Sequence, residues 1–240
     1  MQHISDPDRN AHDPASSPAA ALCEQDVRMI VRLLGQVADM SGTPLDRKQA
    51  LMDGLCRWLD IDAWIWVVSR FDGDKPPMAV LFHHAGLTER QIGLVLEASS
   101  DLEVPLPETP GTVADIRRGV ACARLRRDWV PDDRAWYGRS FELYRRAIGL
   151  DDFVYGLFPI AGNLFSGIGL HRRIGRTAFT ERDRLIVQII VSEIPWLHRA
   201  GLPEAEAASL GTYGRSVSDL TPRLRVVFGL LIQGWKRDQI

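Results

Sequence analysis

The chain has 240 residues, 45% of them hydrophobic and 25% charged, with a formal net charge of −2. This composition excludes a wholly disordered chain, supplies apolar material for a sizeable core, and gives no global attraction to nucleic acid or anionic membrane. Three scattered cysteines, Cys23, Cys56 and Cys122, make neither a disulfide framework nor a zinc cluster, and with no membrane-spanning run or secretory signal in view the expected placement is the cytoplasm, without metal or cofactor.

Residues 1–20 are rich in Asp, Pro, Ser, Ala and His without periodicity and read as a mobile tail. Order is expected over 21–200. Val27, Ile30, Val31, Leu34 and Val37 fall at helical spacing up to about Met40, where Ser41-Gly42-Thr43-Pro44 stops the helix. This first helix is either a dimerisation arm or a support for its own domain. A second helix starts with Pro44 in its first turn and places Leu51, Leu55, Trp58 and Leu59 on one face.

Ala63 to Phe71 is dense in aromatic and β-branched residues and reads as a strand running into the turn Asp72-Gly73, with Met78 to His83 as its hairpin partner. Thr88 caps a helix carrying Ile92, Val95 and Leu96, and the three prolines between Leu102 and Gly111 predict a loop. Asp132-Asp133 opens a helix with Trp136, Phe141, Leu143 and Tyr144 that Gly149 closes.

Phe153–Ile160 and Leu164–Arg172 form a hairpin, with Gly167 and Gly169 inside its second strand as places for another backbone to approach. Thr180-Glu181-Arg182-Asp183 is a capping box ahead of a long helix with Leu185, Ile186, Ile189, Ile190 and Leu197, which Pro195 should kink. Residues 201–218 read as a linker, and a short apolar-periodic helix starts at Thr221-Pro222.

The order of these elements resembles a GAF-like sensory domain over about residues 44–200, helped by the phrase Gly167-Ile-Gly-Leu-His-Arg and then Phe179-Thr180-Glu-Arg-Asp-Arg. The resemblance implies an α+β fold: an antiparallel sheet with helices on one face and a small-molecule pocket on the other. A second phrase, Leu220-Thr221-Pro222-Arg223 followed by Val226-Val227-Phe228-Gly229-Leu230-Leu231-Ile232-Gln233-Gly234 and Gln239-Ile240, resembles the opening of a LuxR-type helix-turn-helix. Thr221 serves as the cap, Pro222 as the first helical residue, and Gly234 as the stop. Leu224 departs from the family's usual Glu, and the recognition helix would lie beyond Ile240. Residues 219–240 thus look like an incomplete all-α DNA-binding module in which Arg223, Lys236 and Arg237 could make weak phosphate contacts without sequence-specific binding. The resemblance implies a homodimeric bacterial-type transcription regulator whose partners are DNA, through the complete module, and a small molecule or protein signal. The alternative is a stand-alone GAF-like binding module.

No nucleophile-elbow, zinc-protease, phosphate-loop or dinucleotide motif is present, so an enzyme is not expected. His83 and His84 are adjacent on a strand and point to opposite faces, and His171, beside Arg172, reads as a surface or satisfied strand histidine, with contact to an anionic ligand as the alternative. Residues 117–146 carry nine arginines against four acids, which is either a solvated face or an anion-recognising surface. Trp64 and Trp66 share a strand face, with Phe158 across the sheet. If that is the pocket face, Trp64, Trp66, Phe158, Trp136, Arg124 and Arg127 would line a ligand site; if it is the core face, the tryptophans pack on the helices.

Overall fold

A computed structural model describes residues 22–73 and 77–203. The tail, the linker from residue 204, and the helix-turn-helix phrase with Arg223, Lys236 and Arg237 lie outside the described residues. Helices α1 (Glu24–Asp39) and α2 (Pro44–Leu59) lead into the hairpin β1 (Ala63–Arg70) and β2 (Met78–Ala85). Then come α3 (Glu89–Ser100), α4 (Thr109–Arg118), β3 (Cys122–Leu125), α5 (Arg126–Trp129) and α6 (Asp133–Trp136). A π-helical turn (Phe141–Arg145) and α7 (Arg146–Ile148) precede the long hairpin β4 (Leu150–Ala161) and β5 (Leu164–Arg173), and α8 (Glu181–Glu193) and α9 (Pro195–Arg199) close the described chain.

Local chemistry sets the starts of the helices. Thr43, Thr88 and Thr180 each accept a backbone N–H three residues on, while Asp46, Gln91 and Asp183 accept the caps' own N–H groups. Pro195 does more than kink its helix. The chain breaks at Ile194 and restarts at Pro195, because proline has no N–H for the helical ladder.

The five strands run in the order β2-β1-β5-β4-β3, and every neighbouring pair is antiparallel. The expected α+β class with an antiparallel sheet and flanking helices is what the structure shows. One sheet face carries Trp64 and Trp66 in register with Leu170 and Ile168, and these with Val154, Ala123 and Leu125. It packs on α1, α2, α8 and α9 through Ile30, Leu51, Leu55, Ile186, Ile190 and Leu197. Helix α1 therefore packs on its own domain, with Ile30, Leu33 and Val37 inward and Val27 exposed. Its buried Asp26 is paired with Arg182 of α8, joining the first and the long closing helix.

The other face is covered by the segment from α3 to α7, where the sequence expectation needed most revision. The proline-rich loop is shorter than expected, because Pro110 sits in the first turn of α4, where a missing N–H costs nothing. The expected helix over 132–149 is broken into α6, a turn at Tyr137-Gly138, and the wider turn of Phe141–Arg145. Gly149 ends it as expected, at φ +80°, with its N–H on Arg145 O.

Candidate functional site

The strand register defines the covered face row by row: Ala63, His171 and Phe153; then His84, Ile65, Gly169, Tyr155 and Arg124; then Phe82, Val67, Gly167, Leu157 and Cys122. The nearest neighbours of Gly167 and Gly169 are side chains and not the backbone that was expected: Tyr155 at both, with His171 at Gly169. A Cβ at Gly167 would stand 2.6 Å from the Tyr155 hydroxyl, and one at Gly169 would stand 2.7 Å from His171 Nε2 and 3.0 Å from the Tyr155 ring. The two glycines make a flat floor on which Tyr155 and His171 rest.

Above this floor the cover is aromatic. Trp129 lies 5.8 Å from Phe153 and 5.6 Å from Tyr155, ring centroid to centroid, and Trp136 lies 5.8 Å from Phe153. The Arg145 guanidinium stacks over Trp136 at 4.1 Å and forms an ion pair with Glu108. Asp115 holds the cover to the sheet: its buried carboxylate accepts from Arg118 (2.8 Å), Arg124 (2.8 Å) and Trp129 Nε1 (2.8 Å). Burial alone would raise its pKa, but the hydrogen bonds from Arg124 and Trp129 hold it below the usual carboxylate value.

Within this enclosure several polar atoms have no partner. His171 is 8% exposed, and neither ring nitrogen makes a hydrogen bond. Arg145 Nε and Glu108 Oε2 are buried and unpartnered as well, as is His84 Nδ1 on the edge strand β2, two strands away from Gly169. Burial, reinforced by the Arg145 charge, pushes the His171 pKa down to about 3, so the ring is neutral at physiological pH and offers one donor and one acceptor. Burial likewise pushes Tyr155 up to about 12, keeping its hydroxyl protonated.

The six residues expected to line a ligand site do not converge. Trp64 and Trp66 are 1% and 0% exposed and sealed under the helices, the core alternative of the two. Phe158 is on that same helix face, stacked on His198 at 4.4 Å. Trp136 and Arg124 belong to the covered side, where Arg124 is paired with Asp115. Arg127 donates to Phe179 O (3.0 Å), ahead of α8. Six of the nine arginines of this stretch, Arg117, Arg118, Arg127, Arg134, Arg139 and Arg146, are exposed, as the solvated-face alternative expects, and Arg118, Arg124, Arg126, Arg145 and Arg146 form ion pairs with nearby carboxylates.

His171 is also corrected, since it is buried and unsatisfied. Sequence reasoning passed over Glu108 and Tyr155, and counted Arg145 only as one of nine arginines, because their meeting depends on where the cover folds. The available signal was alternation: residues 167, 169 and 171 share one strand face, on which two glycines leave room beside a histidine. His83 and His84 point to opposite faces as expected, in register with Trp66 and Ile65. Among the described residues no cluster of three or more His, Cys, Asp and Glu could hold a metal ion, and no helix is long and apolar enough to cross a membrane.

No protein-family model matches the chain, and no curated protein matches it. Solved structures do. SdiA in complex with octanoyl-rac-glycerol is similar at a TM-score of 0.52 and 13% identity, covering 90% of this chain and 80% of that one. A second structure, of SdiA from Escherichia coli, gives 0.50 and 11%, covering 88% and 80%. The LBD domain of VqsR from Pseudomonas aeruginosa gives 0.48 and 15%, covering 74% and 96%. GAF domains of bacterial proteins also match, at 0.43 and 0.41 for two of them. At these identities the likeness to SdiA shows the fold alone, and TM-scores below 0.5 add no argument.

Proposed function

We propose that the described domain binds a small molecule between its sheet and its cover, and that it is the sensing part of a LuxR-type transcription regulator rather than an enzyme. The observation that carries the sensing role is the set of unpartnered atoms, both His171 ring nitrogens, Arg145 Nε and Glu108 Oε2, beside aromatic rings. Each buried donor or acceptor left unmet costs about 1–3 kcal/mol, and a bound molecule that meets them recovers that cost. SdiA, with the same fold, forms a complex with octanoyl-rac-glycerol, which is a precedent for a small ligand in this architecture. Burial pushes the Cys56 and Cys122 thiols up to about 11, which favours a binding role over thiolate chemistry.

The regulator half of the proposal rests on the phrase from Leu220 to Ile240 and its resemblance to a LuxR-type helix-turn-helix. DNA as partner, a homodimeric state and a cytoplasmic location belong to the same reading. Reading the gene beyond Ile240 tests it. A continuation resembling Ala-Ala-x-Leu, a turn and a helix with Ser/Thr-Val supports a regulator, and an immediate stop codon leaves a stand-alone sensing module. The sensing half is tested by thermal melting of the chain against a panel of small molecules. A ligand of the site raises the melting temperature of the wild type and not of His171→Phe; a panel without such a compound counts against the reading.

A further inference from the structure

We infer that the site takes an uncharged, planar ring compound with hydrogen-bond donors and acceptors on its edge, a conclusion that rests on the sensing role proposed above. Charge comes first. Glu108 and Arg145 neutralise one another, and His171 is neutral. A ligand bearing a net charge would leave water without a free counter-charge in the enclosure, and desolvating an uncompensated ion is far more costly than desolvating a neutral polar group.

Hydrogen-bond capacity comes second. Arg145 Nε can only donate and Glu108 Oε2 can only accept, while neutral His171 does one of each. The Tyr155 hydroxyl, which makes no hydrogen bond to the described residues, can do either. The ligand must therefore supply donors and acceptors in roughly equal number. A pure acceptor, such as an ester, would leave Glu108 Oε2 unmet.

Shape comes third. The unpartnered atoms are bordered by rings: Trp136 lies under the Arg145 guanidinium, Phe153 is 6.2 Å from the His171 ring, and Trp129 is beside Tyr155. Over Gly167 and Gly169 the Tyr155 ring itself lies on the sheet, so the surface presented there is aromatic too. Aromatic walls favour a stacked ring, with its polar groups at the edge, over a flexible chain.

The test uses three probes on the whole chain by titration calorimetry. Indole-3-carboxamide is planar and uncharged with donors and acceptors; indole-3-carboxylate has the same frame with a negative charge; octanoyl-rac-glycerol is uncharged and flexible. The carboxamide is expected to bind at least about tenfold more tightly than either of the others, the effect of about one unmet hydrogen bond. His171→Phe should weaken carboxamide binding by about tenfold or more while the fold, followed by circular dichroism, is retained. Glu108→Gln frees the Arg145 charge and should reverse the preference, so that the carboxylate overtakes the carboxamide. Tighter binding of octanoyl-rac-glycerol that depends on His171 overturns the planar inference and leaves the sensing role standing. A carboxylate preference in the wild type, a preference unchanged by Glu108→Gln, or carboxamide binding indifferent to His171→Phe also overturns it. Binding of none of the three at millimolar concentration overturns the planar inference, and the sensing role then rests on the wider panel.

Discussion

The two faces of the sheet treat buried polar groups in opposite ways. On the helix face the buried side-chain nitrogen and oxygen atoms of the described residues have partners. Trp66 Nε1 donates to Ser166 Oγ (2.9 Å), and Ser166 in turn meets His198 Nδ1 at 2.8 Å. His198 Nε2 is 2.9 Å from Val191 O, a carbonyl that can only accept, so Nε2 carries the proton and Nδ1 accepts from the serine. Lys48, 1% exposed, donates to Ala200 O (2.9 Å) and lies over the Trp66 ring at 5.1 Å. On the covered face His171, Arg145, Glu108 and His84 keep atoms without partners. The difference separates the two faces: satisfied polar groups in the core fix the fold, and the unsatisfied ones beside rings are the atoms to which the proposed function assigns a ligand.

Substitutions should expose that division. The largest effect is expected from Trp66→Ala, which empties a fully buried indole site and leaves Ser166 only its bond to His198; the fold should lose about 3–5 kcal/mol in denaturant titration. Next is a pH effect on the same face. Burial holds the Lys48 pKa near 8, below the 10.5 of an ordinary lysine. Between these values the unfolded chain keeps a proton that the native chain has released, so stability rises with pH across that window. Cys56 and Cys122 act in the opposite sense above pH 9, because their native pKa values are raised from 9.0 to about 11. Comparison with Lys48→Met isolates the lysine: the wild type should gain on the variant by up to about 3 kcal/mol between pH 8 and 10.5.

Ser166→Ala should cost less, about 2 kcal/mol, by leaving the Trp66 N–H and His198 Nδ1 unmet in the core. His171→Phe is the counterpart on the covered face. It removes two polar atoms that have no partners, so the apo fold should be unchanged or gain about 1 kcal/mol in thermal melting. A His171→Phe variant that is less stable than Ser166→Ala would erase the contrast between the faces.

Much of the fold was legible because local chemistry decides it. The Thr88 and Thr180 caps, the Gly149 stop, both hairpins and the alternation in β1 depend on a few adjacent residues, and each is where the sequence puts it. The segment from 101 to 149 was less legible. Proline at a helix start and proline in a loop read alike, and β3 is four residues long with only β4 to pair with. The site was hardest to see. Glu108 and Arg145 are 37 residues apart, and their pairing needs α4 and the π-helical turn to be folded over the same strands. Histidine alone carries no sign of whether its nitrogens will be met; His198 and His171 are both buried in this domain, one fully bonded and one not.

The interior position of β1, between β2 and β5, also bears on how this protein is made. Its hairpin partner β2 follows directly, but its other neighbour is β5, so that Trp66 must wait for Ser166, 100 residues later. A ribosome adding about 5–20 residues per second leaves that edge open for some 5–20 s, with the indoles of Trp64 and Trp66 unburied beside an unpaired backbone. In that interval the nascent chain is at its most adhesive, and crowded or overproduced translation should send it into aggregates that the finished domain does not form.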